Sequence, residues 1–395
     1  MRSARPPRHP RVFMMDLLAI VPYYTAYLSG ALIAEGIPVT VGSIPYYLDL
    51  DCFRSRGVPL ASGLLRMAAI PGLPRLLRRV LKLAEGSLNL LTLTVRFLIR
   101  PPRILHVQFL PLLQWHLPFE FWFLRFCRWR GVKIVLTVHD ILPHDTGDTF
   151  RKTYHTLYAA VDALICHSTE VHSRLVAEFG VKTGNISVIP HGPFFFDLPN
   201  PIDTSTLTVT SSQTCTVLWQ GIFQPYKGVD LLLEAWRLVE ASGVEARLLI
   251  AGTGGEGLLA QTRQHVQRLG LKNVELDLRF LSTEELIAIY RRADIVVYPY
   301  RAITTSGALA TGQALGTAII ASDLPVFREA LHGGTDGKLV PAGDSPALAE
   351  AIIELCSNSE ARLKLASRVK GRNFGADMWS EIAQRTAAVY DGLVR

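Results

Sequence analysis

Twice along this chain, short runs rich in Val, Ile and Leu alternate with longer stretches of helical period, and nothing else in the sequence constrains the fold as tightly. A strand that is apolar at every position must be covered on both faces, which happens when helices cross over between parallel strands. The first series places strands near 12–15, 39–43, 104–109, 133–139, 163–167 and 186–190, with helices at about 24–35, 118–130, 150–161 and 169–179. Gly131 falls where a glycine follows a helix end. The second series places strands at 216–220, 246–251, 274–277, 295–298, 318–321 and 338–340, with helices at 228–242, 255–269, 282–292 and 306–315. Ser345-Pro346 reads as a capping hydroxyl with proline at the first helical position. A last helix at 376–393 carries Trp379 and Tyr390.

Between the two series, residues 197–214 read DLPNPIDTSTLTVTSSQT, polar and without helical period, as a linker does. The expected organisation is therefore an N-terminal Rossmann-like domain at 1–200, a second one at 201–375, and a helix at 376–395 that crosses back to the first. The fold class is α/β.

Charge separates the halves. Residues 1–200 hold 22 Lys and Arg against 13 Asp and Glu, whereas 201–395 hold 19 against 21. Only the first half is basic. With a mean hydropathy of +0.23, its expected partner is both anionic and greasy, which fits a membrane surface or lipid-linked substrate better than nucleic acid. The five cysteines form no CxxC pair, so neither a disulfide framework nor a zinc knuckle is indicated and a reducing compartment is expected. The N-terminal MRSARPPRHPR reads as a disordered basic tail rather than a secretory signal. The most apolar stretch, 104–124, holds two prolines, two histidines and Glu120, and is read as a strand plus a helix rather than a membrane span.

One segment breaks the alternation. Residues 64–103 carry eight Arg or Lys and a single acid, Glu85, with leucines at helical spacing. Such a basic amphipathic insertion can lie in a bilayer interface, leucines down and cations on lipid phosphates; the alternative is a helical insertion whose arginines are simply solvated.

Two loops carry phosphate-type chemistry. In VLWQGIFQPYKGVDLLLEAW an apolar strand, a turn and a helix start bring Lys227 to a helix N-terminus, where free N–H groups and the helix dipole attract anions. Downstream, the strand 295–298 feeds Thr304-Thr305-Ser306-Gly307. There Gly307 lets a ligand approach the backbone, and the hydroxyls of Thr305 and Ser306 can bind oxyanions. Two such loops at the carboxyl ends of parallel strands suit one diphosphate.

These segments occur in order with VLTVHD, ALICHSTEVHSRLVAEFGV, ISVIPHG, LLIAGTGGE and LSTEELIAIYRRADIVVYPY, and the ensemble resembles glycosyltransferase family 4 (group 1), the retaining nucleotide-sugar enzymes of the GT-B fold. The resemblance implies two Rossmann-like domains whose parallel sheets face an inter-domain cleft, with the donor held mainly by the C-terminal domain. It implies that Lys227 neutralises the donor diphosphate, that Ser306 and Gly307 cap it, and that His139 contacts the transferred sugar. Fixed positive charge and N–H dipoles assist a departing diphosphate, so no metal and no cofactor are expected. Three positions depart from the pattern. Ile222 stands where many members have an arginine, and Ile303 and Thr311 stand where many carry two glutamates. Arg301, a candidate to replace the missing cation, and Thr311 are expected donor contacts, and Tyr23 or Tyr24 is a candidate to line the acceptor side, with core packing as the alternative for either tyrosine.

Two further patterns are set aside. Gly252–Gly257 satisfies GxGxxG with Glu275 beyond it, but lies outside the first βα turn of the chain. His139-Asp140 and His144-Asp145 are irregularly spaced for a metal, and His191 reads as a loop residue. The expected function is transfer of a hexose from a UDP- or GDP-sugar to a lipid-linked or polysaccharide acceptor, by a cytoplasmic protein peripheral to the inner face of the membrane. The alternative is a catalytically inactive relative that binds membrane or partner proteins.

Overall fold

The computed structural model describes residues 9–44, 51–70, 72–143, 146–195, 197, 214–370 and 374–394. The chain divides into two compact units, one running to Pro190 and resuming at Asp377, the other spanning His191–Ala376.

The first unit contains β1 (Val12–Asp16), α1 (Pro22–Ala34), β2 (Val39–Ser43), α2 (Asp51–Arg54), α3 (Arg75–Ile99), β3 (Ile104–Val107), α4 (Phe119–Trp129), β4 (Lys133–Val138), α5 (Arg151–Ala159), β5 (Ala163–Cys166), α6 (Thr169–Phe179) and β6 (Ile186–Val188). Its sheet is parallel, in the order β2-β1-β3-β4-β5-β6. The order reverses between β1 and β3, and in open α/β sheets ligands bind beyond the strand ends at such a reversal.

The second unit contains β7 (Cys215–Gln220), α7 (Val229–Ala241), β8 (Ala246–Ala251), α8 (Glu256–Leu269), β9 (Val274–Asp277), α9 (Thr283–Arg292), β10 (Ile295–Tyr298), α10 (Gly307–Ala314), β11 (Ala318–Ser322), α11 (Pro325–Ala330), β12 (Lys338–Val340), α12 (Ser345–Ser357) and α13 (Ser359–Lys370). Its parallel sheet runs β12-β11-β10-β7-β8-β9 and reverses between β7 and β10. The central strands β10 and β11 are buried at every residue, the two-sided coverage that their unbroken apolar text requires. The chain then returns as α14 (Ala376–Val394). In the first unit, Trp379 stacks on Tyr27 with centroids 5.4 Å apart, and the Tyr390 hydroxyl lies 2.6 Å from His106 Nδ1 in the core.

Several expectations are corrected. The division falls after Pro190, ten residues before the expected boundary at 200, because the turn that follows packs on the second unit: Phe194 and His191 lie against Gly307. Most of the expected linker lies outside the described residues. Strands expected to reach 109, 139, 167 and 190 end at Val107, Val138, Cys166 and Val188. The residues just past three of these ends, Gln108, His139 and His167, place their side chains in hydrogen bonds at the carboxyl edge of the sheet. Asp344, not Ser345, caps α12, by accepting from Ala347 N at 2.9 Å.

Within 64–103 only Arg75–Ile99 is one continuous helix, starting after Pro74 and stopping before Pro101-Pro102. Its lone acid is not solvated. Glu85 is buried and accepts from Ala68 N at 2.9 Å, and Asn89 pairs with both backbone groups of Leu65, so the segment before the helix is held against it. Leu90, Leu93 and Phe97 face the core, while Leu77, Val80, Leu88, Leu91, Val95 and Leu98 lie along one opposite side of the helix as a second, exposed apolar stripe. Among the described residues no helix is long and apolar enough to cross a membrane.

Candidate functional site

In the second unit, the loops that follow β7 and β10 flank the reversal of strand order. The β7 loop ends in a helical turn, Pro225–Lys227, and Gly228 adopts φ +67° to lead into α7. Glycine is required there, because a Cβ would stand 2.0 Å from Pro299 O. This close approach brings the two loops together. Arg301 N donates to Tyr226 O at 2.7 Å, and the Arg301 guanidinium donates to Pro225 O at 3.0 Å.

Lys227 lies in this junction. Its ammonium is 5.8 Å from the Tyr300 ring centroid and 2.9 Å from where a Cβ on Gly221 would stand, so Gly221 makes the space it occupies. Part of the side chain still reaches solvent, but burial at its head lowers the amine from 10.5 to about 8, with no neighbouring charge raising it back. Among the described residues, no carboxylate pairs with this ammonium. A cation held in low dielectric without a counter-ion is a site for an exogenous anion.

Further along the β10 loop, Ser306 caps α10, its hydroxyl accepting from Leu309 N at 3.1 Å. The cap leaves the earlier N–H groups of Gly307 and Ala308 outside the helical ladder. Gly307 has a packing role that the sequence reading lacked. A Cβ on it would meet the Phe194 ring at 2.8 Å and His191 Cε1 at 3.2 Å, so the close neighbour of its backbone is the 191–195 turn. Thr305 lies half-buried in the same loop.

Two expected donor contacts do other work. The Arg301 guanidinium forms a bidentate pair with Asp230, at 2.9 and 2.7 Å, so it ties loop to helix and is not an open replacement for the cation missing at Ile222. Ile222 itself is exposed. Thr311 is buried and its hydroxyl donates to Gly307 O at 2.8 Å, within its own helix; Ile303 is partly buried in the apolar cluster around Tyr298 and Tyr300. Gly252, in the set-aside GxGxxG pattern, holds φ +143° with Gly221 O 1.9 Å from its would-be Cβ, so that glycine serves backbone packing.

In the first unit, Asp16 ends β1. Its carboxylate accepts from Ile20 N at 2.8 Å, from Val21 N at 3.0 Å and from the Thr25 hydroxyl at 3.3 Å. Burial raises it to about 6. The first turn of α1, where this fold can take a phosphate, is thus already filled by the chain's own carboxylate; nothing in the sequence pattern alone pointed to it.

His139 stands at the end of β4, buried, with Nε2 donating to Gln108 Oε1 at 3.0 Å; Gln108 is oriented in turn by donating to Met14 Sδ. Together with Gln114, Asp140, Thr146 and Tyr154 they line a cavity of about 230 Å3. Tyr24 is in the core, edge-on to His139 at 4.8 Å and to His167 at 5.2 Å, and burial drives its hydroxyl upward; it braces His139 instead of lining an open surface. Tyr23 is half-buried beside it. His191 Nδ1 contacts Gly192 O at 2.7 Å. His144 and Asp145 lie outside the described residues, among which no group of three His, Cys, Asp or Glu could hold a metal.

Comparison with known proteins gives the same picture for each half. The family model for Glycosyltransferase Family 4 matches residues 21–192, and that for Glycosyl transferases group 1 matches residues 214–358. A phosphatidyl-myo-inositol mannosyltransferase of Mycobacterium leprae is 36% identical over 187 residues, covering 45% of this chain and 46% of that protein. A D-inositol 3-phosphate glycosyltransferase of Xylanimonas cellulosilytica is 28% identical over 244 residues, covering 59% and 57%. The chain thus matches about half the length of these curated relatives. Among solved structures, Anabaena HepE in complex with UDP and glucose superposes with a TM-score of 0.71 at 16% identity, over 96% of this chain and all of that one. A glycosyltransferase from Rickettsia africae superposes with a TM-score of 0.70 at 16% identity, over 98% and 99%. These likenesses show the GT-B fold.

Proposed function

Because the chain belongs to the family 4, group 1 glycosyltransferases, we propose that it moves a hexose from a UDP- or GDP-sugar to a lipid-linked or polysaccharide acceptor, with retention at the anomeric carbon. The observation that carries this reading is Lys227, a buried ammonium without a carboxylate partner among the described residues, at the strand-order reversal of the second unit. In the reaction, the bond between the sugar and the β-phosphate breaks and a nucleoside diphosphate departs. Lys227 and the first N–H groups of α10 meet the charge that develops there, so this reading calls for no metal. His139, held by Gln108 and Tyr24, contacts the sugar, and the cavity lined by Gln114, Asp140 and Tyr154 takes the acceptor.

A membrane-lying acceptor is supported by the exposed apolar stripe of α3 and by Trp122 and Trp129, which are exposed on the neighbouring α4. The related mannosyltransferase is named for a lipid, phosphatidyl-myo-inositol. The test is turnover of a panel of nucleotide sugars, read as release of nucleoside diphosphate, with thermal shift by the same nucleotides. A ligand at 100 times its dissociation constant stabilises by about 2.7 kcal/mol. Neither turnover nor a shift with any nucleotide leaves the inactive, partner-binding reading.

A further inference from the structure

A second groove in the first unit lies away from its candidate site. It has a volume of about 1080 Å3 and includes Val12 and Val39, the first residues of β1 and β2, with Pro101 and Pro102 just before β3. In a parallel sheet these are the ends opposite His139, so the groove belongs to neither the sugar nor the acceptor cavity. Three arginines line it, Arg11, Arg96 and Arg100, and no Asp or Glu does. Arg11 donates to Pro101 O at 3.4 Å, and Arg96 stands 6.0 Å from the Phe13 ring. Among the described residues none of the three pairs with a carboxylate. Between them the wall is apolar, with Phe13, Ile33 and Phe97, and its rim is formed by Val95 and Ile99, exposed residues at the end of the α3 stripe.

Three unneutralised cations around an apolar floor, opening onto an exposed apolar helix face, match one ligand chemistry: a phosphate ester carrying an acyl chain. We propose that this groove binds the headgroup of an anionic phospholipid, its chain running along Val95 and Ile99 while the α3 stripe rests in the bilayer interface. The volume exceeds the usual range for small-ligand pockets, about 300–1,000 Å3, and accommodates a phosphoglycerol headgroup with the first part of its chains. The site rests on the membrane-surface reading above and sharpens it. It assigns the lipid phosphate to Arg11 and to the arginines at the end of α3, and makes attachment selective for charged lipid.

The experiment is flotation of the full chain with phosphatidylcholine vesicles, with and without phosphatidylglycerol. Wild type is expected to bind the charged vesicles at least tenfold better. Arg96→Gln with Arg100→Gln should lose most of that preference, roughly tenfold, and keep nucleotide binding. Arg79→Gln with Arg125→Gln, which removes two exposed cations elsewhere in the unit, should lose less. Dihexanoyl phosphatidylglycerol below its micellar concentration should bind one-to-one by calorimetry, and Lys227→Met should leave that binding intact while it weakens nucleotide binding. Equal binding of wild type to both vesicles, or equal losses in the two arginine variants, overturns the groove in favour of diffuse charge or none. Competition by inorganic phosphate at matched concentration overturns the lipid and assigns the site to free anions. Loss of nucleotide turnover in wild type would overturn the transferase reading and leave the lipid result standing.

Discussion

Replacing Lys227 by Met separates what its burial does to the empty protein from what it does for the ligand. The amine titrates near 8 where it stands and at 10.5 when free, and at about 1.4 kcal/mol per tenfold this disfavours the charged form by about 3 kcal/mol. Below pH 8 the native state carries that burden. Between about 8 and 10.5 the unfolded chain holds a proton that the native one has released, so wild-type stability rises with pH across this window and is level on either side. Methionine keeps most of the volume and removes the charge. The ligand-free variant is therefore expected to be more stable at pH 7, by up to about 3 kcal/mol, a rise of several degrees for a unit of this size. Its stability should not climb above pH 8, and its affinity for nucleoside diphosphates should fall roughly 10²–10³-fold, the scale of a lost oxyanion donor. A bound diphosphate restores the ammonium, so at about pH 8.5 wild type should take up most of a proton on binding, while at pH 7 it takes up little. Calorimetry in two buffers of different ionisation heat reads that proton directly. A Met variant that binds nucleotide like wild type removes the donor site, and one that is less stable than wild type refutes the argument from the buried charge.

Gly228→Ala forces a left-handed φ on alanine and drives its Cβ onto Pro299 O, so it should destabilise the second unit by roughly 2–4 kcal/mol, read from the urea midpoint; an unchanged midpoint would show that the loops are not in contact. Tyr390→Phe leaves His106 Nδ1 without its partner in the core and should destabilise the first unit by about 1–3 kcal/mol, with no change in the affinity for nucleotide. Burial raises Glu120 to about 8 from 4.5, so the native state keeps a proton that the unfolded chain has lost, and this contribution to wild-type stability is lost as pH rises from 4.5 to 8. Glu120→Gln should remove that loss and gain on wild type between pH 5 and 8; parallel stability curves for the two proteins would refute the assignment.

The twelve strands were legible because burial on both faces leaves an unbroken apolar text, and Lys227 was legible because a lysine just before a helix start has few local alternatives. What escaped the sequence depends on partners far away in it. Arg301 and Asp230 are 71 positions apart, and only the folded sheet shows that the one neutralises the other. Gly307 carried the pattern of a ligand loop, yet its tight neighbours are Phe194 and His191 from another turn. In 64–103 the leucines were visible but their faces were not: α3 is apolar on two sides, and helical periodicity cannot tell the buried side, Leu90 and Phe97, from the exposed one, Leu91 and Val95. The strand ends were overread by one to two residues, and those residues include Gln108, His139 and His167.

Net charge does not decide where the anion goes in this chain; occupancy of helix N-termini does. The second half holds 19 basic against 21 acidic residues, and its exposed arginines are largely matched: Arg279 by Asp277 and Glu285, Arg328 by Asp323, Arg301 by Asp230. Four α-helices follow the strands that flank the two reversals, and one of them, α4, carries Glu120 in its first turn. The start of α1 is filled by Asp16, which takes the Ile20 and Val21 N–H groups, while Pro22 has none to offer. The first turn of α7 carries Asp230, a negative charge already engaged with Arg301. α10 has neither an acidic side chain in its first turn nor a carboxylate on the N–H groups that open it; it is capped by the neutral Ser306, in the loop tied to the turn that carries Lys227. A diphosphate placed at α1 would face the Asp16 carboxylate, and one placed at α7 would face Asp230. At α10 it meets N–H groups and an ammonium. On the proposed reading the donor falls to the less basic half by elimination at the level of single helix turns, which leaves the surplus cations of the first half, Arg11, Arg96 and Arg100 among them, for the proposed lipid partner.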